Sequence, residues 1–538
     1  MKSLSRRAFL KTISQAGLLC VAPSLTRAAE TLNPETVAIS ILHTTDLHGH
    51  ILPTVDYKGN LDLGGLARCV TQIRRWRRQN RNSILIDVGD VYQGTEVGLR
   101  SKGEVMIDLF NYLKYDAWII GNHEFDWGIE PFSNAVARST MPVLAANTLL
   151  EGRPAGEISD TKNPFVKIQP YILKEIAGIK IAIIGVTTPG MPFWFRPEFA
   201  RGIDFQYPVE PVRRAIAKAK SEGANATVLT GHMGLKPRIG GDDFANNAMM
   251  LTSEFPETAV FIAGHTHQAI PSRMTNGVLL TQSDHFGIHI GRVDLVFDRN
   301  SRKLLQRQAH CELMDNRFLP DHAVISRAKA QLAESDAVLA EPIGNLAETL
   351  GARGHPGEPS DVEQLIGAAI MESLQKRGIS VDGVMHGVFD ERSKFVAGPK
   401  TVNDIWNILP YENYLVTAEL VPDEIKLIME EVYASHEGRN LLGFNIVTEG
   451  RGYDRRINSM TLVDGRRLER DKRYEIAFNT FDSRSAGHRF MKLRVLLETP
   501  SANCVMHDVQ TRDALIDYFR RHKVVRKIAA SDRLAAVA

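Results

Sequence analysis

Five short stretches of this chain place carboxylate, amide or imidazole side chains at the ends of apolar runs. The first reads Ile41-Leu42-His43-Thr44-Thr45-Asp46-Leu47-His48-Gly49. The second reads Ile86-Asp87-Val88-Gly89-Asp90, and the third Ile119-Ile120-Gly121-Asn122-His123-Glu124-Phe125-Asp126. Leu229-Thr230-Gly231-His232 and Ile262-Ala263-Gly264-His265-Thr266-His267 complete the set. Oxygen and imidazole donors without thiolate suit Zn, Mn, Fe, Co or Ni. Two such ions ~3.5–4 Å apart need a shared anionic bridge, and Asp90, at a tight strand end, is the candidate. A metal pair of that kind activates a bridging water and holds the attacking and leaving oxygens of an in-line displacement at phosphorus. His123 and Asp126 stand three residues apart, as one turn requires. A histidine backed by a carboxylate stabilises phosphoryl oxygens or protonates a leaving group.

These residues need elements to bring them together. Val37–Leu42, Ser83–Val88, Ala117–Ile120, Ile179–Val186, Ala226–Leu229 and Ala259–Ala263 are short apolar runs of the kind that form buried parallel strands. Gly65–Arg78 and Glu210–Glu222 read as helices between some of them, so the first part of the chain is an α/β layered domain. Leu279-Leu280, Ile288–Val296 and Leu304–Cys311 read as its later strands. In open α/β sheets ligands bind at the carboxyl ends of the strands, so five such ends converge on one crevice. Asp321–Ala337 reads as a connecting helix, and Gly351–Pro359 is a loop by composition. A second domain is expected from about Ala340 to about His522, with a polar helix or tail from Lys523.

The proportions are globular: 43% hydrophobic, 24% charged and 7% aromatic over 538 residues. They exclude disordered, collagen-like and coiled-coil classes, and the length calls for more than one core. The net charge of +2 belongs to the N-terminus. Residues 1–29 carry five bases and no acid, and the rest of the chain has 60 basic against 63 acidic residues. A near-neutral chain gives no electrostatic reason to expect a nucleic acid polymer or an anionic membrane as partner. Ser5-Arg6-Arg7-Ala8-Phe9-Leu10-Lys11, a short apolar stretch and Thr26-Arg27-Ala28-Ala29 resemble a twin-arginine signal. Export through the twin-arginine machinery to the periplasm or beyond is the expectation. No stretch approaches the ~18 apolar residues of a membrane span. Cys20 lies in the signal, and Cys69, Cys311 and Cys504 leave room for one disulfide at most.

With these residues in view, the chain resembles the calcineurin-like metallophosphoesterases, and among them the 5′-nucleotidase/UDP-sugar hydrolase family, from about Val37 to about Phe490. Gly64-Gly65-Leu66-Ala67-Arg68, Asp90–Thr95 and Ala145-Ala146-Asn147 support the register. The resemblance implies an N-terminal four-layer α/β/β/α metallophosphoesterase domain and a C-terminal α/β 5′-nucleotidase-type substrate-binding domain. It implies that Asp46, His48 and His267 hold one metal and Asn122, His232 and His265 the other, with Asp90 bridging. His123 and Asp126 would be the catalytic dyad. In the second domain, Ile408-Leu409-Pro410-Tyr411-Glu412-Asn413 and Ala477-Phe478-Asn479-Thr480-Phe481 resemble the family's base-binding segments. The substrate-binding residues implied are Arg392, Tyr411, Asn413 and Phe481, with the two aromatics enclosing a base. The chain also departs from the family. Met385-His386-Gly387-Val388-Phe389-Asp390-Glu391 stands where the family has Asn-Gly-Gly, and Ser485-Ala486-Gly487-His488 where it has Gly-Gly-Asp-Gly.

The expected organisation is a twin-arginine signal peptide over 1–29, a metallophosphoesterase catalytic domain over 36–318, a connecting helix over 319–339, a 5′-nucleotidase C-terminal-like substrate-binding domain over 340–522 and a tail over 523–538. The expected function is an exported dinuclear-metal phosphohydrolase. It would cleave phosphate from nucleotides or related small phosphoesters by attack of a metal-bridged hydroxide, with closure of the second domain over the substrate. Two alternatives stand beside it: a thiosulfohydrolase-like enzyme of sulfur oxidation acting on a carrier-protein arm, and a non-catalytic exported binding protein.

Overall fold

The computed structural model describes residues 35–194, 197–235, 245–388, 392–435, 438–485 and 489–528. The twin-arginine segment, residues 389–391 and residues 486–488 lie outside the described residues, as does the end of the expected tail.

Two mixed sheets stack face to face in the first half. One orders its strands Leu304–Leu313, His289–Asp298, Thr36–Thr44, Ser83–Asp87, Ala117–Ile119, Val143–Leu144 and Ile168–Gln169. The other orders Ala269–Thr275, Val278–Ser283, Val260–Ala263, Ala226–His232, Ile179–Thr187 and Tyr171–Ile176. The strands that precede the candidate ligands are parallel to one another within each sheet. Their carboxyl ends therefore open on the same edge. Of the later strands, His289–Asp298 runs antiparallel beside Thr36–Thr44 and Leu304–Leu313 antiparallel beside His289–Asp298, at the edge of the sheet.

Strand alternation sorts the apolar side chains into layers. Ile39, Ile41, Ile84 and Ile86 meet Ile181, Ile183, Val228 and Val260 between the sheets. Leu42, Leu85 and Trp118 point the other way, onto the helices Leu66–Gln79 and Glu104–Leu113. Ile184, Leu229 and Phe261 cover the outer face of the second sheet beneath the helix Val209–Ser221. The result is the α/β/β/α sandwich. Buried Asn147 ties the sheets together near their open edge. Its amide donates to the Thr187 and Gln206 carbonyls, and its oxygen accepts from Thr187 N–H.

The connection between domains differs from the single helix expected. It is two helices, His322–Arg327 and Lys329–Leu339, interrupted at Ala328. Asp321 starts the first by accepting from the Ala323 and Val324 amides. Beyond it, a five-stranded sheet orders Arg439–Leu442, Gly383–Gly387, Tyr474–Asn479, Tyr414–Leu420 and Val505–Gln510. Neighbouring residues of these strands serve opposite cores. Val384 and Leu415 pack with the helices Asp361–Gln375 and Thr511–His522, and Met385 and Val416 with Pro422–Ala434. The segment after His522 is not a helix at its start. Val524–Val525 forms a strand parallel to Asn345–Leu346, which buries Val525.

Close sheet packing at Gly185 yields a test. A Cβ there would lie 2.3 Å from Leu144 Cβ, whereas Gly351 has open space. Gly185→Ala is expected to cost about 1–3 kcal/mol in denaturant unfolding. Gly351→Ala should stay within about 0.5 kcal/mol of the parent.

Candidate active site

The open edge of the sandwich collects every candidate ligand. Asp46 and His48 follow Thr36–Thr44, Asp90 follows Ser83–Asp87, and Asn122 follows Ala117–Ile119. His232 ends Ala226–His232, and His265 and His267 follow Val260–Ala263. Two groups result, Asp46/His48/His267 and Asp90/His232/His265, and the ligand atoms of each lie within 4.8 Å of one another. Asp90 Oδ2 faces both, at 3.0 Å from His232 Nε2 and 3.8 Å from His48 Nε2. His48 Nε2 lies 3.0 Å from His267 Nε2, and Asn122 Oδ1 lies 2.8 Å from His265 Nδ1.

Several features fit this donor set to cations. His48 Nδ1 donates to the Gln93 carbonyl and His232 Nδ1 to the Val88 carbonyl, which leaves Nε2 of each turned inward. His232 Nε2 is buried with no hydrogen bond of acceptable geometry, despite its closeness to Asp90. Five of the seven ligand candidates, Asp46, His48, Asp90, His265 and His267, hold left-handed backbones at φ 48–75°. Non-glycine residues pay roughly 1–3 kcal/mol for such conformations, and these concentrate at functional sites. Burial would push the Asp90 carboxyl up, but His232 and His123 outweigh it and hold it well below the carboxylate range. Burial holds His48 well below the ordinary histidine value and, aided by His232, pushes His265 down to about 3. Those two imidazoles are thus neutral, the form that ligates.

His123 stands beside this cluster. Its Nδ1 lies 2.6 Å from Asp126 Oδ2, and its backbone N–H donates to Asp90 Oδ1 at 2.8 Å. Burial lowers the imidazolium, but Asp126 and Asp90 overcome it and hold His123 up at about 10. Those two carboxylates thus favour the protonated ring.

A residue of the third motif to which the sequence attached no role organises the turn. The buried Glu124 carboxylate accepts from the Gly121, Asp90 and Val91 amides at 2.6, 3.1 and 2.7 Å. It clamps the Asp90 turn to the Asn122 turn. Only its place inside the Asn-His-Glu-Phe-Asp stretch could have signalled this.

A cavity of about 760 Å³ runs from Asp90, His123 and His267 to the second domain. Tyr411, Asn413 and Phe481 line it together. Asn413 Oδ1 accepts from Phe481 N–H and Thr480 Oγ1, so it shapes the turn that carries the exposed Phe481 ring. Arg392 is not in that lining; its Nη2 reaches the Tyr57 carbonyl at 3.5 Å. Among the described residues, the arginines of the cavity wall are Arg439, Arg484 and Arg489, which the sequence did not single out. Arg439 is braced by the buried Asp482 at 3.1 Å. His386 lines the same wall, with Nδ1 against the Gly387 carbonyl at 2.6 Å.

Residues 39–269 match the calcineurin-like phosphoesterase family, and residues 342–494 match the 5′-nucleotidase C-terminal domain. The snake venom 5′-nucleotidase of Naja atra is 30% identical over 312 residues, 55% of this chain and 57% of that protein. A 2′,3′-cyclic-nucleotide 2′-phosphodiesterase/3′-nucleotidase of Salmonella typhimurium is 28% identical over 348 residues, 58% of this chain and 50% of that protein. The chain thus spans about half the length of these curated relatives. A solved 5′-nucleotidase precursor from Thermus thermophilus shares the fold, with a TM-score of 0.68 at 22% identity, over 91% of this chain and 97% of that chain.

Cation binding at these groups should be visible without turnover. An ion held only by the folded state adds about 2.7 kcal/mol of stability at a hundredfold excess over its dissociation constant. Adding Mn²⁺ or Zn²⁺ to chelator-treated protein is expected to raise the melting temperature and to bind at two equivalents by calorimetry. A melt unmoved by saturating metal would remove the basis for the assignment.

Proposed function

We propose that this chain, which carries a calcineurin-like phosphoesterase domain followed by a 5′-nucleotidase C-terminal domain, is an exported hydrolase of nucleotides or related small phosphoesters. The observation that carries the reading is the Asp90 carboxylate between two ligand groups, with the His123–Asp126 pair lining the same interdomain cavity.

The residues divide the work. Asp46, His48 and His267 would hold one divalent ion and Asn122, His232 and His265 the second, with Asp90 between them. When bound, two such ions supply a nucleophile at neutral pH and positive charge for the phosphoryl oxygens. In the reaction one ester P–O bond breaks, one P–O bond forms to the oxygen of water, and a proton ends on the leaving oxygen. His123 would donate to the phosphoryl group or to that leaving oxygen, and Asp126 fixes the ring through Nδ1. The aromatic rings of Tyr411 and Phe481 offer faces for a base, worth ~1–3 kcal/mol per stacked base. The arginines of the second-domain wall favour an anionic substrate. The twin-arginine-like N-terminus supports export to the periplasm or outside the cell.

A panel of AMP, UDP-sugar, cyclic nucleotide and p-nitrophenyl phosphate on the metal-loaded mature protein tests the reading. Asp90→Asn should reduce hydrolysis to background, and His123→Ala should lower kcat by about 10²–10⁴-fold. Unchanged turnover in both variants would overturn the assignment. Asp126→Asn removes the charge that keeps His123 protonated, so the alkaline limb of the rate profile should move to lower pH by about 1–3 units. For export, replacing Arg6 and Arg7 by lysine should retain the chain in the cytoplasm, read by cell fractionation.

A further inference from the structure

Two neighbouring side chains of the second domain cross to the first. Tyr411 Oη lies 2.5 Å from Tyr57 Oη, and Glu412 Oε2 accepts from Trp127 Nε1 at 3.1 Å. Both first-domain partners adjoin the candidate site. Tyr57 Oη lies 2.7 Å from His267 Nδ1, and Trp127 follows Asp126 in the chain.

Proton accounting gives the first contact a direction. His267 turns Nε2 toward His48 Nε2 and Asp46 Oδ1, at 3.0 and 3.5 Å. A ring nitrogen that binds a cation carries no proton, so Nδ1 must carry the one that remains. In that state Nδ1–H would donate to Tyr57 Oη across the 2.7 Å contact. The Tyr57 O–H is then directed along the 2.5 Å contact to Tyr411 Oη. With Nε2 given to a cation, His267 would set the donor order of a hydrogen-bond chain that ends in the other domain.

Both phenols of the chain are held in place. The Tyr57 ring stacks on His285 with centroids 4.2 Å apart. Its carbonyl accepts from Arg392 Nη2 at 3.5 Å, a second link to the far domain. Glu412 gives its other oxygen to Arg512 Nη2 at 3.0 Å, in a pair whose side chains are 2% and 1% exposed. Arg512 also donates to the Leu409 and Pro410 carbonyls and lies over the Trp406 ring at 3.4 Å. The Leu409–Glu412 segment therefore moves with its domain as a rigid part. A displacement of that domain must change the distance between Tyr411 and Tyr57.

We propose that Tyr57 is a positioning residue that couples cation binding at His267 to closure of the second domain, through the hydrogen-bond chain His267–Tyr57–Tyr411. The proposal rests on the reading that His267 holds a cation. Coupling of this kind is reciprocal: the cation favours the closed arrangement by the same factor by which closure favours the cation. Hydrogen-bond partners behind a metal ligand are worth about 10–100-fold in metal affinity. Tyr57 differs from an ordinary partner of that kind because its second bond is made to another domain.

The test reads affinity and shape, not turnover. Mn²⁺ is titrated calorimetrically into chelator-treated wild-type, Tyr57→Phe and Tyr411→Phe proteins, and small-angle scattering is recorded with and without Mn²⁺. Thermal melts check that each variant is folded. Tyr57→Phe should weaken one of the two sites about 10–100-fold. Tyr411→Phe, one hydrogen bond further from His267, should weaken the same site to a smaller extent. The parent is expected to decrease in radius of gyration on adding Mn²⁺, and both variants should lose that decrease. The double variant should fall short of the product of the single effects, since both remove one chain. Unchanged Mn²⁺ affinity in a folded Tyr57→Phe protein would overturn the proposal. If Tyr57→Phe does not fold, Tyr411→Phe decides: parental affinity and compaction there would reduce Tyr57 to a local support of His267. A wild-type protein that binds no Mn²⁺ would instead fail the cation reading itself, together with this proposal.

Discussion

A buried carboxylate is the constraint around which this molecule is arranged. Asp90 sits between two imidazole clusters with almost no exposure, and an isolated charge in such a place is costly. The neighbouring histidines offset that cost against the nearby Asp46 and Glu124 carboxylates. His123 N–H takes one oxygen, His232 and His48 face the other, and Glu124 anchors the backbone that presents it. The left-handed conformations at five ligand positions follow from the same demand. Parallel strands deliver the chain to one edge, and a sharp turn is then needed to aim a short side chain back into the crevice. Gly89 and Gly121 accommodate those turns. A Cβ on Gly121 would lie 2.3 Å from Asp90 Oδ1.

The sandwich supplies the rigidity that this constraint requires. Two sheets joined by an isoleucine-rich core and covered by helices on both outer faces hold strand ends that are far apart in sequence. The second domain adds the arginines Arg439, Arg484 and Arg489 and further aromatic side chains across the cavity. Its own sheet is double-sided, so the residues that face the cavity come from turns and strand ends. That separation places the two ligand groups on one core and the facing cavity wall on another.

The candidate ligands were legible because each follows an apolar run and because ligands gather at the carboxyl ends of parallel strands. The strand-to-ligand order reads directly from Ile41 through His267. Other features were not legible. Glu124 offered a carboxylate of no evident purpose until three amides were seen to converge on it. Tyr57 sits in a polar loop, and its partners His267 and Tyr411 are 210 and 354 residues away. Glu412 meets Trp127 across 285 residues. Arg392 matched a family spacing, yet the cavity is lined by Arg439, Arg484 and Arg489. Spacing along a chain cannot say which side of a turn a long side chain takes.

What the sequence determined by itself was local and periodic: apolar runs that must be buried strands, donor atoms at their ends, and a basic N-terminal segment unlike the rest. Those features follow from residue type and from short-range geometry. What only the tertiary structure decided was the company each donor keeps: which carboxylate stands between two groups, which carbonyls set the imidazole tautomers, and which phenol joins the two domains. Such pairings arise from packing two sheets and a second domain together, and hydrogen bonds of under about 3.2 Å depend on that packing rather than on order along the chain.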